Sequence, residues 1–480
     1  MSKQISRRAF LRVGALAAAG ATLAACAPKA AAPAAPAAAD APKVEATKAD
    51  AAPAVEPTKA PEVAPTEAPA PDTAGALVQW WVGWGNLTPA VESLQKTPEF
   101  KEALGANTFE FKPSVNAEAM LTAIAGGTPP DGASNVDYVQ FMAKGSVSDI
   151  SDLVKASKKL NKDMFLPDPW ANGQWKGAQY GLPGLEGGPN YGLNYNAELV
   201  KAAGLDPAAP PLTWEDLLEW HKKLTIKDAS GNLKQIGLDP YDAMAGEPDF
   251  AAASYGFTWY DEDAGKHNIN NPGMIEHLRI TSEFIKEAGP DQLAGLRQVE
   301  GNGGWGASYN TKVQAMIIEG YWHPGETKIQ KPEVAVNNMA TWAPVPASRA
   351  GKKIQMFNAH YVIFPKEGKN TQGMFNLSEF FCGSDVAAAA IWKEVGWLPA
   401  RASFYDTVKS DEYPGLKFYF DSVKQADETL RRPRRSPIHW FVNTQLGEMR
   451  DKIARGQMTP EDAAAEVQKR ADTEWKNQGY

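Results

Sequence analysis

Tyr191-Gly192-Leu193-Asn194-Tyr195-Asn196 reads as a strand, followed at once by a helical stretch that starts at Ala197 and stops at Gly204, with Pro207 beyond. Glycine just past a helix and proline soon after it are end signals, because neither continues the helical backbone. A second helix opens at Thr213, with Asp216 at its third position in a near capping box. Trp214, Leu217, Leu218, His221 and Leu224 fall on one face of it, which places that Trp in a core. Working outward, Leu77-Val78-Gln79-Trp80-Trp81-Val82 reads as a first strand, broken by Gly83-Trp84-Gly85-Asn86. Thr88-Pro89 then starts a helix, with proline at the first helical position. Phe109-Glu110-Phe111-Lys112 alternates as a second strand, and 116–124 reads as a helix stopped by Gly126-Gly127-Thr128-Pro129-Pro130-Asp131. Tyr180-Gly181-Leu182-Pro183 precedes a Gly-rich loop over 184–190. Residues 309–315 look helical, and Met316-Ile317-Ile318 is a buried strand. Tyr361-Val362-Ile363-Phe364 is another strand, with helices over 373–381 and 386–394 and a last one from Thr459-Pro460-Glu461-Asp462. Strands alternating with helices predict an α/β body with largely parallel strands.

Composition agrees with a folded body: 43% of the 480 residues are hydrophobic and 22% charged, enough to bury a sizeable core. The net charge is −8, and the first 25 residues hold four of the positive charges (Lys3, Arg7, Arg8, Arg12), so the remainder is more acidic still. Such a chain has no electrostatic reason to bind nucleic acid. There are two cysteines, Cys26 and Cys382. Cys382, behind Phe380-Phe381, reads as a small buried thiol.

The N-terminus reads as an address and then a tether. Ser6-Arg7-Arg8-Ala9-Phe10-Leu11-Arg12 precedes an apolar run over 13–25. Such a run rises about 20 Å as a helix, too short for a bilayer core of about 30 Å. It therefore reads as a signal peptide over 1–25, of twin-arginine type from its paired arginines. Leu23-Ala24-Ala25-Cys26 resembles the bacterial lipobox, in which the peptide is cut before Cys and that Cys is acylated; a membrane anchor at Cys26 is the expectation. From Cys26 to residue 75 the chain is nearly all Ala, Pro, Glu, Lys, Thr and Asp without an aromatic, which cannot build a core. Repeated proline makes it a semi-rigid spacer, with an extended reach on the order of 150 Å.

Several runs, taken in order, resemble the family 1 extracellular solute-binding proteins, the carbohydrate-binding group of ABC importers. They are Gly127-Thr128-Pro129-Pro130-Asp131, Gly177-Ala178-Gln179-Tyr180-Gly181-Leu182-Pro183, Leu193-Asn194-Tyr195-Asn196, and Ala202-Ala203-Gly204-Leu205 followed by Leu212-Thr213-Trp214-Glu215-Asp216-Leu217. Further on come Ala315-Met316-Ile317-Ile318-Glu319-Gly320-Tyr321-Trp322, Gly396-Trp397-Leu398-Pro399-Ala400-Arg401 and Gly456-Gln457-Met458-Thr459-Pro460-Glu461-Asp462-Ala463. The chain departs from the pattern at its Trp-rich first strand, over 92–108, and at Arg431-Arg432-Pro433-Arg434-Arg435. That basic run is expected to be a solvated patch on an acidic protein; contact with a permease or with an anionic group of the ligand is the alternative. The resemblance implies an α/β, two-lobed periplasmic-binding-protein-like fold of type II. Residues 76–188 plus 346–400 would form the first lobe, and 189–345 plus 401–480 the second. A ligand would bind in the cleft, the lobes would close by hinge bending, and permease subunits of the importer would receive the closed form. The expected place is outside the cytoplasmic membrane, as a lipid-anchored monomer.

A sugar offers edge hydroxyls and apolar C–H faces, so it needs aromatic planes and planar polar side chains. The candidates stand where loops leave strand ends that would face the cleft. Trp84 and Asn86 follow the first strand, Asp137 and Tyr138 a strand end near Asn135, Glu186 lies in the Gly-rich crossover, and Glu247 follows Gly237-Leu238-Asp239-Pro240. Trp322 is the foremost candidate, at the place where the resemblance implies a sugar-stacking aromatic, with Tyr321 and His323 beside it. Asn358 and His360 flank a crossover strand, and Trp440 matches another aromatic position that the resemblance implies. Trp259-Tyr260, ahead of Asp261-Glu262-Asp263-Ala264-Gly265-Lys266, reads as structural, in a hairpin; the acidic run lacks the spaced ligands of a calcium loop. No paired histidine spacing implies zinc or iron, so no metal or cofactor is expected. The alternatives are a non-sugar ligand (peptide, polyamine or chelate), a secreted carbohydrate-active enzyme with a carboxyl pair, or a surface adhesin. The expectation is a binding protein rather than an enzyme.

Overall fold

The computed structural model describes residues 75–134, 138–299, 301–302 and 304–480. The signal, Cys26 and the spacer up to residue 74 lie outside the described residues. Two sheets organise the described chain. In the first, Leu77–Val82 pairs in parallel with Thr108–Lys112 on one side and Gly132–Ser134 on the other. The long strand Ile354–Ile363 extends this sheet and pairs with both Glu428–Leu430 and Gly181–Pro189. In the second, Gly192–Asn196 lies between Asn338–Thr341 and Gln314–Glu319, and Leu233–Leu238 and Ile226–Lys227 complete it.

Both sheets are mixed rather than largely parallel. Gly192–Asn196 runs antiparallel to both neighbours, and Gly181–Pro189 runs antiparallel to Ile354–Ile363. The reason is connectivity: Gly181–Pro189 leaves one sheet and the chain enters the other two residues later, so it arrives against the local direction. The stretch expected to be a loop over 184–190 is therefore strand as far as Pro189. Its glycines answer to neighbours rather than to turn chemistry. A Cβ on Gly187 would stand 2.6 Å from the Cβ of Ala400 and 2.9 Å from that of Ala359. Only a bare backbone lets the strand lie so close to its surroundings.

The expected helix over 309–315 is likewise shorter. Ala307–Asn310 is helical, Lys312 takes a positive φ of 59°, and the strand begins at Gln314. Other elements follow the local signals. The Thr213 hydroxyl accepts from the Asp216 amide at 3.1 Å and caps Trp214–Leu224, whose Trp214 is fully buried. Burying a side chain of that kind contributes roughly 1.5–3 kcal/mol, far above the few tenths of helix propensity, so packing fixes this helix. Thr459 caps Pro460–Asn477 in the same way. Trp80 and Phe381 pack at 4.7 Å in the core beneath the first sheet, and buried Cys382 belongs to that core, its thiol pushed up to about 12 by desolvation. Trp214, Phe250 and Tyr195 centre the second core, and Trp259, Leu446 and Val467 a third among the C-terminal helices. Trp259 is buried, and Tyr260–Asp261 with Lys266–His267 forms the expected hairpin. Among the described residues no helix is long and apolar enough to cross a membrane.

Candidate functional site

A cavity of about 440 Å³ opens where the two sheets face each other across the strands that join them. The first strand delivers Trp84 and Asn86 through its terminal turn. The crossover pair delivers Glu186 from Gly181–Pro189 and Asn358 and His360 from Ile354–Ile363. His360 and Glu186 are register partners, and the ladder shifts by a bulge just after His360. A bulge re-aims side chains, and here the His360 ring meets the Glu186 carboxylate at the cavity wall. Trp84 meets the His360 ring edge-on at 4.2 Å and Trp397 at 5.2 Å.

From the second sheet, the strand Gln314–Glu319 ends at Glu319, and the helix Trp322–Gln330 begins after two further residues. Trp322, His323 and Glu326 all line the cavity. The Trp322 indole packs against Gly320, where an added Cβ would fall 2.1 Å from its Cζ3. The glycine thus sets the position of the ring. Trp322 also packs against both sheet cores, which holds it from behind. His323 pairs through Nδ1 with Glu319, and neither its Nε2 nor the Glu319 Oε1 has a partner among the described residues. Glu326 accepts from Asn86 Nδ2 at 3.1 Å and from Trp397 Nε1 at 2.6 Å, so one carboxyl joins groups carried by both sides of the cavity. Desolvation, followed by the nearby Glu319, pushes its pKa from 4.5 up to about 8, which favours the protonated form. Trp440 is exposed, with the Arg434 guanidinium 5.1 Å above its ring.

Eight of the residues expected from sequence thus share one wall system: Trp84, Asn86, Glu186, Trp322, His323, Asn358, His360 and Trp440. Three stand elsewhere. Tyr321 is wholly buried behind the cavity and donates its hydroxyl to Glu186, so it holds a wall residue and offers no surface of its own. Glu247 is 1% exposed and grips Arg434. Tyr138 opens a short helix, accepts from Asn172 Nδ2 at 2.7 Å and packs on Tyr361 at 4.6 Å. Asp137 lies outside the described residues.

The basic run is a solvated patch only at Arg431 and Arg432, which are exposed, and not at Arg434 and Arg435. Arg434 makes a two-armed ion pair with Glu247, at 2.9 and 3.3 Å. Arg435 is 4% exposed and donates to the carbonyls of Asn172 and Gln174 and to Glu262. Burial, partly offset by Arg434, raises the Glu247 pKa, and Asp249 beside it is pushed up to about 6.

Sequence reasoning passed over Trp305, Trp397, Asn190, Asn310, Glu319 and Glu326, which also line the cavity, as does Arg434 of the basic run. Trp305 carried the same signal as Trp84, a Trp flanked by glycines. Glu326 carried none, since a carboxylate in a helix reads as surface. The wall therefore presents five indoles (Trp84, Trp305, Trp322, Trp397, Trp440) among amides and carboxyls. Among its described residues there is no lysine, and its single guanidinium, Arg434, is already engaged.

The family model for bacterial extracellular solute-binding proteins matches residues 106–387. The chain belongs to this family. A solute-binding protein of known name, the sn-glycerol-3-phosphate-binding periplasmic protein of Shigella dysenteriae serotype 1, is 27% identical over 218 residues, 42% of this chain. The Escherichia coli K12 protein of the same name matches to the same extent. The chain spans about half the length of these curated relatives, 48%. Solved solute-binding structures share the two-lobed α/β fold. CpMnBP1 with mannotriose bound aligns with a TM-score of 0.70 at 20% identity, covering 82% of this chain and 99% of that one. A protein of Thermotoga lettingae bound with α-D-tagatose aligns with a TM-score of 0.67 at 18% identity, covering 84% and 100%.

Proposed function

We propose that this chain is the extracytoplasmic binding lipoprotein of an ABC importer, taking a neutral sugar or short oligosaccharide into the cavity between its sheets. The observation that carries the reading is the wall itself: five indoles, Trp397 of them largely buried, beside amide and carboxyl groups, with no unengaged cation among the described lining residues. Indole faces suit the C–H faces of a pyranose, and planar amides and carboxyls suit its paired hydroxyls. A volume of about 440 Å³ falls within the range of small-ligand sites, about 300–1,000 Å³. The sugars named for the solved neighbours support the same class. A phosphate ester, such as the name of the curated relatives indicates for them, fits this wall poorly, because burying a dianion beside Glu186 and Glu319 needs a countercharge.

The lobes are assigned to 76–188 plus 346–400 and to 189–345 plus 401–480. Glu326 would join them, from the second to Asn86 and Trp397 of the first. Closure on the ligand would present the closed form to the permease, and an acylated Cys26 would hold the body near the membrane on its spacer. Binding rather than turnover is proposed, since Glu186 is held by Tyr321 and His360 and Glu326 by Asn86 and Trp397.

Thermal-shift and calorimetric titration of the chain against mono-, di- and trisaccharides, polyols and glycerol 3-phosphate tests this. At a hundredfold excess over Kd a ligand stabilises by about 2.7 kcal/mol. A neutral sugar is expected to raise Tm, and Trp322→Ala to abolish the rise. A shift with glycerol 3-phosphate alone refutes the neutral-ligand reading.

A further inference from the structure

A second depression, larger at about 610 Å³, lies away from the sugar cavity. It sits between the helices Pro290–Gln298 and His439–Ala454 and the turn after Leu233–Leu238. Arg450 lines it while only 2% exposed. Its described partner is the Gly246 carbonyl, its Nε meets no acceptor, and no described carboxylate stands within ion-pair distance of it. The nearby acids are engaged elsewhere. Asp239 takes Arg297, and Asp451 takes Arg455 at 2.7 Å. Arg297 also lines the depression, its guanidinium 5.8 Å from the centre of the Tyr241 ring, and so does the half-buried Asn443.

A buried cation without a countercharge is unfavourable by several kcal/mol, and groups of this kind are found paired. Burial already holds the Arg450 pKa down to about 10. A guanidinium offers a planar fork of donors that fits a carboxylate or a phosphate. We propose that this depression is a second ligand site, for a small oxyanion held by Arg450 with Arg297 and Asn443 at its rim. The shared chemistry is the oxyanion, and the two sources, phosphate and carboxylate, are separated by the test. The site is independent of the sugar reading, because none of its lining residues lines the sugar cavity.

The test uses the full chain without sugar, titrated with inorganic phosphate and separately with malonate, against chloride at matched ionic strength. A saturable rise in Tm and saturable heat with phosphate or malonate, absent with chloride, is expected; which of the two gives it identifies the source. Gly447 lines the depression one turn before Arg450, and a Cβ there meets nothing nearer than the Tyr241 ring at 4.0 Å. Gly447→Glu should therefore fold and bring an internal carboxylate to Arg450 at i,i+3 spacing. It is expected to raise Tm without any anion and to weaken anion binding about tenfold or more. Arg297→Gln should weaken binding without that rise in Tm. No response to either anion beyond chloride overturns the proposal, and so does a response undiminished in both variants.

Discussion

Glu326→Gln isolates a carboxyl that joins groups carried by both sides of the candidate cavity. The wild-type carboxyl has an ordinary pKa of 4.5 when unfolded and about 8 in the folded chain, raised first by desolvation and then by Glu319. A folded pKa above the unfolded one means that the native state keeps a proton the unfolded state has lost. The Glu326 contribution is therefore most favourable below pH 4.5, declines between 4.5 and 8, and is flat above 8. The full shift corresponds to at most about 5 kcal/mol, at about 1.4 kcal/mol per unit. Glu326 is only partly shielded from solvent in the cavity wall. Water there screens the carboxylate, so about half of that, roughly 2–3 kcal/mol, is the expected loss. Glutamine keeps the acceptor oxygen for Asn86 and Trp397 and removes the titration. Asp242, pushed up to about 8, and Asp249, pushed up to about 6, add slopes of the same sign, so the difference between wild type and variant is the quantity to read. Urea unfolding at pH 5, 7 and 9 should show the variant gaining on wild type as pH rises. Parallel profiles across that range would refute a desolvated Glu326 with a raised pKa.

Gly320→Ala places a Cβ inside the Trp322 indole and forces the ring to swing. A stability loss of about 1–3 kcal/mol is expected from overpacking, with sugar binding weakened more than the fold; unchanged sugar affinity by calorimetry would contradict the role given to this glycine. Arg434→Met leaves Glu247 buried without its partner and should lower stability by about 3 kcal/mol at neutral pH. The loss should shrink as pH falls towards 4.5, where the orphaned carboxyl protonates in both states. Adding Glu247→Gln should recover most of it in denaturant melts, whereas a solvated arginine would show no such coupling.

The sequence carried more of the site than its single letters suggest. Trp84, Asn86 and Trp322 were legible because each stands beside a strand end or a break that local signals mark, whereas Trp440 came from the family resemblance. Tyr321 and Glu247 were misplaced because the side of a loop on which a side chain falls is decided by what packs there. Tyr321 turns inward to Glu186, and Glu247 to Arg434. The second half of the basic run misled for the same reason: the acids that pair with Arg434 and Arg435, Glu247 and Glu262, are about 170–190 residues away in the chain.

By itself the sequence determined what depends on neighbours a few residues apart: the caps at Thr213 and Thr459, the apolar face of Trp214–Leu224, the Ala/Pro-rich composition ahead of the body, and the α/β alternation. Tertiary structure alone decided what depends on distant segments meeting. It turned a Gly-rich stretch into a strand because Ala400 and Ala359 leave room only for backbone at Gly187. It made both sheets mixed because the chain crosses between them. It also raised the Glu326 pKa by burying that carboxyl near Glu319, against the hydrogen bonds from Trp397 and Asn86 that favour the charged form, since desolvation and Coulomb repulsion act through space and leave no periodicity along the chain.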